Sequence, residues 1–504
     1  MKNFYITTPI YYVNDVPHIG HVYTTIAADV ISRWYRLHNR NVFFLTGTDE
    51  HGTKIVEAAK LKNKPVKEYV DEISDKFKTT WKKLNISYNH FIRTTDKYHE
   101  KTVQNILQKL YNNEYIYKAK YKGLYCIQCE NFITETELIN GLCPNHMTKP
   151  QEKSEENYFF KLSHFREKLI EIITDKNNEN HFEICPEERK NEILGKLNTQ
   201  ISDISISREN LEWGIRIPFD ITQTTYVWID ALINYISAIG YEDSDSEFNF
   251  NELWPADLHL IGKDILWFHT VVWPALLLAI NLPLPKKIFA HGYFTINGKK
   301  MSKTIGNVIY PDDMIHEFGV DGTRYLILSA FPFGADGDFS IDFLKTKYNN
   351  DLANNLGNLF SRVTKMIEKY NKSVIPQKGN NYQNLWSDLS KIDTVIEHLE
   401  FHNAIETIQK VISISNQYID KQQPWNLAKQ GINILNDILY NLYETLWVLA
   451  HYIYPFMPVT GQTIFYQLGQ NKTIEQSFFL VDKKIQIEYG NKIKTSSPLF
   501  PRIQ

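Results

Sequence analysis

The chain opens on a short β-prone run, Phe4 to Thr8, ending at Pro9; after a polar loop, Val22 to Leu37 places Ile26, Val30 and Trp34 at helical spacing. Asn41 to Thr46 follows with Val42, Phe43, Phe44 and Leu45 in succession, the pattern of a strand buried on both faces. Strand, loop, helix and strand in this order predict a β-α-β unit with a right-handed crossover, the opening of a doubly wound parallel sheet. From about Asn112 to Asn157 the pattern breaks into short segments and turn residues, as in a small insertion. Thr225 to Ile229, Leu258 to Ile261 and Phe289 to Thr295 read as further strands, the last leading into an Asn297-Gly298 turn. Helical periods dominate from Tyr348 through Tyr454, with Pro424 and Pro455 as breakers, and predict an α-helical domain.

The expected architecture is α/β. Residues 1–111 and 221–290 are the two halves of a Rossmann-like parallel sheet, 112–220 a connective insertion with a compact knuckle at about 121–157, 291–345 a lysine-motif loop and stem-contact region, and 346–504 an all-α helical bundle. A length of 504 residues suits such a division at roughly 150 residues per domain. A hydrophobic fraction of 43% with 22% charged residues excludes disordered and fibrous classes. Lys and Arg number 55 against 58 Asp and Glu, so any nucleic-acid contact must come from local basic patches. The N-terminus lacks the basic, apolar and small-residue succession of a secretory signal. The greasiest window, Thr270 to Ile280, is interrupted by Pro274 and falls short of the roughly 20 apolar residues that span a bilayer. A cytoplasmic protein is expected.

Three of the four cysteines change the picture. Cys126 and Cys129 form C-x2-C, and Cys143 with His146 forms C-x2-H, a spacing that offers four ligands to a tetrahedral cation. Zinc is the natural occupant, in a closed and therefore structural site; chance clustering of buried thiols is the alternative. Cys185 lies beyond this set and reads as a buried thiol.

His18 and His21 sit on the loop between the first strand and first helix, where ligands bind in such sheets and where backbone amides attract phosphate. Gly20 lets a nucleotide approach the backbone. Histidines three apart can also cap or pack a helix, or share a metal. Lys300-Met301-Ser302-Lys303-Thr304, after the Asn297-Gly298 turn, can close on a triphosphate and neutralise departing pyrophosphate, or can be a solvated surface loop. No Walker loop is present.

These two motifs, in this order and separation, resemble the paired signatures of class I aminoacyl-tRNA synthetases, with Thr304 standing where serine is common. The resemblance makes His18, His21, Lys300 and Lys303 a transition-state clamp, and Gly20, Met301 and Ser302 further ATP contacts, with magnesium accompanying ATP. Gly262-Lys263-Asp264 resembles the family's ribose-binding turn, although Asp264 can instead cap a helix. Thr7 to Asn14, Phe43 to Gly52, Ile206-Ser207-Arg208, Tyr226 to Ala231 and Phe268-His269 with Trp273 resemble the methionyl-tRNA synthetase family in particular, over nearly the whole chain.

A thioether is unbranched and weakly polar, so its selection calls for a shaped aromatic pocket. Ile10, Tyr12, Trp228, Ala231, Leu232, Tyr235, Phe268, His269 and Trp273 are its candidates, each with an ordinary core role as the alternative. By resemblance Asp49 receives the substrate ammonium and Arg208 holds Asp49. The resemblance also makes Cys126, Cys129, Cys143 and His146 a zinc knuckle near the active site. It makes Asn358, Arg362 and Trp425 the readers of a CAU anticodon, hence tRNA(Met), initiator and elongator, as partner; Asn358 and Arg362 share a helix face and Trp425 follows Pro424, and by composition alone helix packing is the alternative for all three. Some relatives append a C-terminal dimerisation domain that this chain stops short of, so a monomer is expected. The rival readings are another class I synthetase, disfavoured by the small insertion, and a non-catalytic RNA-binding protein on the same scaffold.

Overall fold

The computed structural model describes the chain except residues 1, 127–130, 134–137, 145–146, 210, 297, 301–307, 431–433, 478 and 495–497; at 121–122, 131–132, 153–155, 299–300 and 339 it describes the backbone only. A six-stranded parallel sheet forms its centre, built from β1 (Asn3–Tyr12), β2 (Asn41–Asp49), β3 (His90–Arg93), β4 (Glu183–Cys185), β5 (Leu258–Gly262) and β6 (Lys287–His291). The spatial order is β3-β2-β1-β5-β6-β4, so the chain runs outward from β1 on one side and restarts beside it at β5 on the other. That reversal between β1 and β5 is the topological switch point at which doubly wound sheets bind ligands.

Helix α1 (Ile19–Leu37) crosses from β1 to β2; α2 (Val66–Lys83) and α3 (Lys97–Asn112) flank the first half, while α4 (Val227–Ser237) and α5 (Trp273–Ala279) cover the second. α6 (Pro311–Ser329) leads to a helical domain containing α7 (Asn358–Asn371), α8 (Phe401–Gln422), α9 (Pro424–Gln430) and α10 (Ile434–Ile453). One apolar cluster runs without a break from α1 through α6 into α8 and α10, and a second fills the other face of the sheet beneath α3, α4 and α5. Among the described residues no helix is long and apolar enough to cross a membrane.

The structure corrects several sequence readings. β1 continues through Pro9 to Tyr12, its register against β2 shifting between Thr7 and Ile10. The strand expected at Thr225 to Ile229 ends at Thr225, and the apolar run after it is the first turn of α4. The stretch Phe289 to Thr295 divides between β6 and a separate strand, Phe294–Ile296, of a small three-stranded sheet. β4, inside the segment read as insertion, pairs in parallel with β6 and belongs to the central sheet.

Candidate active site

His18 is the N-cap of α1, its backbone extended at φ −125° and ψ 174°. The Gly20 N–H donates to His18 Nδ1 at 3.1 Å and the His18 N–H donates to His21 Nδ1 at 3.2 Å, a reciprocal capping box built from two imidazoles. Their rings stack with centroids 3.9 Å apart. Burial lowers the His18 pKa to about 4, and burial together with His18 holds His21 well below the ordinary imidazole value. Both rings are therefore neutral near pH 7, and because each Nδ1 accepts, each proton resides on Nε2. The box thus leaves two imidazole N–H donors at the positive end of a 19-residue helix. Capping occupies Nδ1 of each ring and so does not exclude a phosphate contact through Nε2.

The small sheet packs beside α1, the Phe294 ring centroid 4.4 Å from that of Tyr23. Strand Lys299–Lys300 pairs antiparallel with Phe294–Ile296, which pairs in parallel with Gly337–Phe339. Asp338 Oδ1 accepts from Thr295 Oγ1 and from the Gly298 N–H, both at 2.7 Å, and so fixes the turn. The Lys300 side chain, Met301, Ser302 and Lys303 lie outside the described residues. Downstream, the Ile19 N–H donates to the Ile309 carbonyl at 3.1 Å, joining the start of α1 to the chain just past the lysine motif.

Gly262 ends β5 and caps the 3-10 turn Lys263–Ile265. Asp264 lies exposed within this turn, which overturns its reading as a helix cap. Burial raises the Tyr293 phenol pKa, and Asp264 beside it raises it further. Lys263 Nζ binds both Asp336 oxygens, at 2.6 and 2.7 Å, and lies 4.8 Å from the Tyr293 ring centroid.

The aromatic candidates converge. Trp228 stacks on Phe268 with centroids 4.2 Å apart and planes 6° from parallel. Tyr235 Oη is 2.7 Å from His269 Nε2, and His269 Nδ1 is 3.0 Å from the Ile265 carbonyl, so the imidazole donates through Nδ1 and accepts the phenol proton at Nε2. Burial lowers the His269 pKa to about 4, keeping it neutral. Trp273 packs 6.0 Å from the Tyr235 ring. Phe268 and His269 begin a π-helical turn, Phe268–Val272, closed by the Trp273 N–H donating to the Phe268 carbonyl. Ala231 and Leu232 are buried on α4, whereas Ile10, Tyr12, Trp228 and Phe268 are half-buried along the edge of the core. Tyr12 and Asp49 are register partners at the ends of β1 and β2. Arg208, on the short strand Ser207–Arg208, bonds Ser205 Oγ at 2.9 Å and the Ser207 carbonyl at 2.8 Å, its guanidinium 4.1 Å from the Tyr226 ring centroid.

Sequence reasoning missed the buried polar frame behind these residues. Glu50 takes a two-point ion pair from Arg93 at 2.7 and 2.8 Å, and Trp213 Nε1 donates to its carbonyl at 2.6 Å. Asp230 accepts from His51 Nδ1 at 2.7 Å and His99 Nε2 at 2.8 Å. The signal was visible: a lone acid in the otherwise apolar Val227-Trp228-Ile229-Asp230-Ala231-Leu232 run.

In the insertion, Cys126 and Cys143 are buried together in a small cluster with Ile133 and Leu138. The Cys143 N–H donates to the Thr148 carbonyl at 2.9 Å and the Met147 N–H to the Cys143 carbonyl at 2.8 Å, a tight turn. Cys129 and His146 lie outside the described residues, and among those described no group of three or more His, Cys, Asp or Glu side chains is arranged to hold a metal. In the helical domain, Asn358 is exposed at the start of α7 with Arg362 one turn on, both within 3.4 Å of Asn416 Oδ1 on α8. Arg362 also pairs with Asp420. Trp425, in the first turn of α9, is 39% exposed.

Comparison with known proteins finds matches along the whole chain. Residues 4–153 and 136–364 match the family described as tRNA synthetases class I (M), and residues 382–496 match the anticodon-binding domain of tRNA ligase. A methionine--tRNA ligase of Caldanaerobacter subterraneus subsp. tengcongensis is 46% identical over 513 residues, covering 100% of this chain and 79% of that protein. One from Rickettsia conorii is 41% identical and covered in full on both sides. The Mycobacterium tuberculosis methionyl-tRNA synthetase in complex with methionyl-adenylate superposes with a TM-score of 0.93 at 36% identity over 100% of each chain, and the free-state structure of that enzyme with 0.86 at 34%.

Proposed function

The chain belongs to the methionyl-tRNA synthetases of class I, and from that premise we propose how its residues divide the work. The reaction has two steps: the methionine carboxylate attacks the ATP α-phosphate and releases pyrophosphate, then the terminal ribose of tRNA attacks the adenylate carbonyl and releases AMP. Charge stabilisation and orientation suffice, so no protein nucleophile is needed. The observation that carries the assignment is that the ends of three neighbouring strands, β2, β1 and β5, supply Asp49, the Tyr12-to-His21 loop and the Gly262-to-Phe268 turn.

On this reading the Nε2–H groups of His18 and His21 donate to the α-phosphate as charge builds there, and Lys300 and Lys303 neutralise the leaving pyrophosphate with Mg2+. Gly20, Met301 and Ser302 line the phosphates. Gly262 and Asp264 hold the ribose. Asp49 receives the methionine ammonium, with Arg208 supporting the site from its short strand. Trp228, Phe268, Tyr12 and Ile10 form the mouth of the thioether pocket, and Ala231, Leu232, Tyr235, His269 and Trp273 its floor. The Tyr235–His269 hydrogen bond supports a neutral floor, suited to sulfur rather than to a charged side chain. Cys126, Cys129, Cys143 and His146 would hold one structural zinc, whose chemistry when bound is to pin the knuckle; burial of the two described thiols in one cluster supports the fit. ATP and tRNA as substrates go with a cytoplasmic location.

Asn358, Arg362 and Trp425 then read the anticodon of tRNA(Met), remote from the chemistry. Trp425→Ala is expected to leave methionine-dependent ATP–pyrophosphate exchange within about twofold of normal while cutting tRNA charging by about 10- to 100-fold, the worth of one base stack. Equal losses in the two assays would sink this division.

A further inference from the structure

α4 has two faces with different duties. At about 100° per residue, Trp228, Ala231 and Tyr235 fall on one side and Asp230 and Ser237 on the opposite side. The second side is clamped. Asp230 Oδ2 accepts from His51 Nδ1 at 2.7 Å and Oδ1 from His99 Nε2 at 2.8 Å, while His99 Nδ1 lies 2.7 Å from Ser237 Oγ, two turns further along α4. Asp230 is 1% exposed, His99 is fully buried, and His51 is buried against Trp213. A carboxylate sealed in the core is costly unless both oxygens are matched, as they are here.

The three elements joined are the ones a methionine pocket must hold in register: α4, α3 through His99, and the segment after β2 through His51, two residues from Asp49. We infer that His51, Asp230, His99 and Ser237 form a positioning clamp that sets the distance between the thioether pocket on α4 and the ammonium site at Asp49. None of the four touches substrate in this scheme; they act through the helix and the strand end. Burial alone would lower the His51 pKa, but Asp230, with Glu100 on α3 and the adjacent Glu50, leaves it raised above the ordinary imidazole value. Arg93, paired with Glu50, also faces this cluster, as does the His99 imidazole.

The inference rests on Trp228, Ala231 and Tyr235 being pocket residues, and Trp228→Ala is the control for that reading. The test is pyrophosphate exchange with methionine and with norleucine, its sulfur-free isostere, on Asp230→Asn, His99→Gln, Ser237→Ala and His51→Gln proteins; the last three keep the carboxylate should Asp230→Asn fail to fold. The expected result for Asp230→Asn and His99→Gln is a KM for methionine up about tenfold, the worth of one charge-assisted hydrogen bond, with the KM for ATP unchanged and a smaller preference for methionine over norleucine. In the parent protein the KM for methionine should rise as pH climbs through the raised His51 pKa and the imidazolium is lost; His51→Gln should flatten that rise. A fall in kcat alone, with both KM values and the methionine preference intact, would reduce the clamp to a folding element and overturn the inference. If Trp228→Ala also leaves the KM for methionine unchanged, the pocket assignment itself fails; if only the clamp variants are silent, the clamp alone does.

Discussion

At the scale of the residue, His18 and His21 show how an imidazole can cap a helix and still offer a donor. Each imidazole gives Nδ1 to a backbone N–H at the start of α1, and this capping bond fixes the proton on Nε2. Burial then removes the charge that an exposed histidine would carry near pH 6, lowering the His18 pKa to about 4. Exchange kcat should therefore show no imidazole ionisation near pH 6.5 from this pair, and the rate should hold on acidification until the box itself protonates. A step in kcat at 6.5 that disappears in His18→Gln would contradict the neutral-pair assignment. His21→Ala should lower exchange kcat by about 100- to 1000-fold, the loss seen when one preorganised donor to a developing oxyanion is removed, with little change in KM for methionine. The sequence made both histidines legible as candidates, because the loop position and the residue type are local; their tautomer was not, since it depends on bonds that exist only once the helix has formed.

At the scale of the element, legibility followed how local the deciding forces were. β1, α1 and β2 were readable because consecutive apolar residues and a 3.6-residue period are written in the chain itself. The run Thr225 to Ile229 was not, since a short apolar stretch fits strand or helix equally. Tertiary bonds decide it: Thr225 pairs with Ser207 and the Tyr226 N–H donates to Ile206, ending the strand there, while the Asp230 side chain is claimed by His51 and His99. β4 is three residues long, and among the described residues it pairs only with β6, some hundred residues on. Pro274 read as an interruption of a greasy window; in the structure it opens α5 behind the π-helical turn, where its missing N–H meets a widened ladder. One glycine carries a comparable hidden constraint. A Cβ on Gly292 would sit 2.4 Å from the Ala335 backbone and 2.6 Å from the Asp336 nitrogen. Asp336 holds Lys263 and accepts from the Tyr293 N–H at 2.8 Å, so Gly292→Ala should shift the turn that bears Asp264. The expectation is about 1–3 kcal/mol of lost stability from overpacking and a KM for ATP that rises more than the KM for methionine. An unchanged melting temperature with both KM values intact would show that the neighbouring segment gives way freely.

At the scale of the whole molecule, a buried charge cluster joins the catalytic sheet to the helical domain. Asp29, on the same helix that His18 and His21 cap, takes Arg33 Nε at 2.8 Å and Arg324 Nη2 at 2.7 Å, together with the Ser87 N–H at 2.7 Å and hydroxyl at 2.6 Å. Arg324, fully buried on α6, donates as well to the carbonyls of Leu84, Pro455 and Phe456 at 3.2, 2.9 and 2.9 Å. Arg33 reaches Asn85 and Tyr454, whose hydroxyl donates to Glu475. One carboxylate therefore anchors two guanidinium groups that tie α1, α6 and the end of α10 into a single unit. Burial would raise the Asp29 pKa, but Arg33, Arg324 and Ser87 hold it well below the ordinary carboxylate value. A carboxylate depressed in the folded state contributes its full stability above its unfolded pKa of about 4 and loses it progressively as pH falls below that value. Asp29→Asn should accordingly cost about 3–5 kcal/mol near pH 7, because Arg324 keeps its burial and loses its counterion. The deficit against the parent protein should shrink as pH is lowered from 5 towards 3, where Asp29 of the unfolded parent chain takes up a proton that the folded carboxylate still refuses. Urea unfolding of both proteins across that range reads it directly: a deficit that stays constant with pH would trace the loss to disturbed packing at Ser87 rather than to the missing charge.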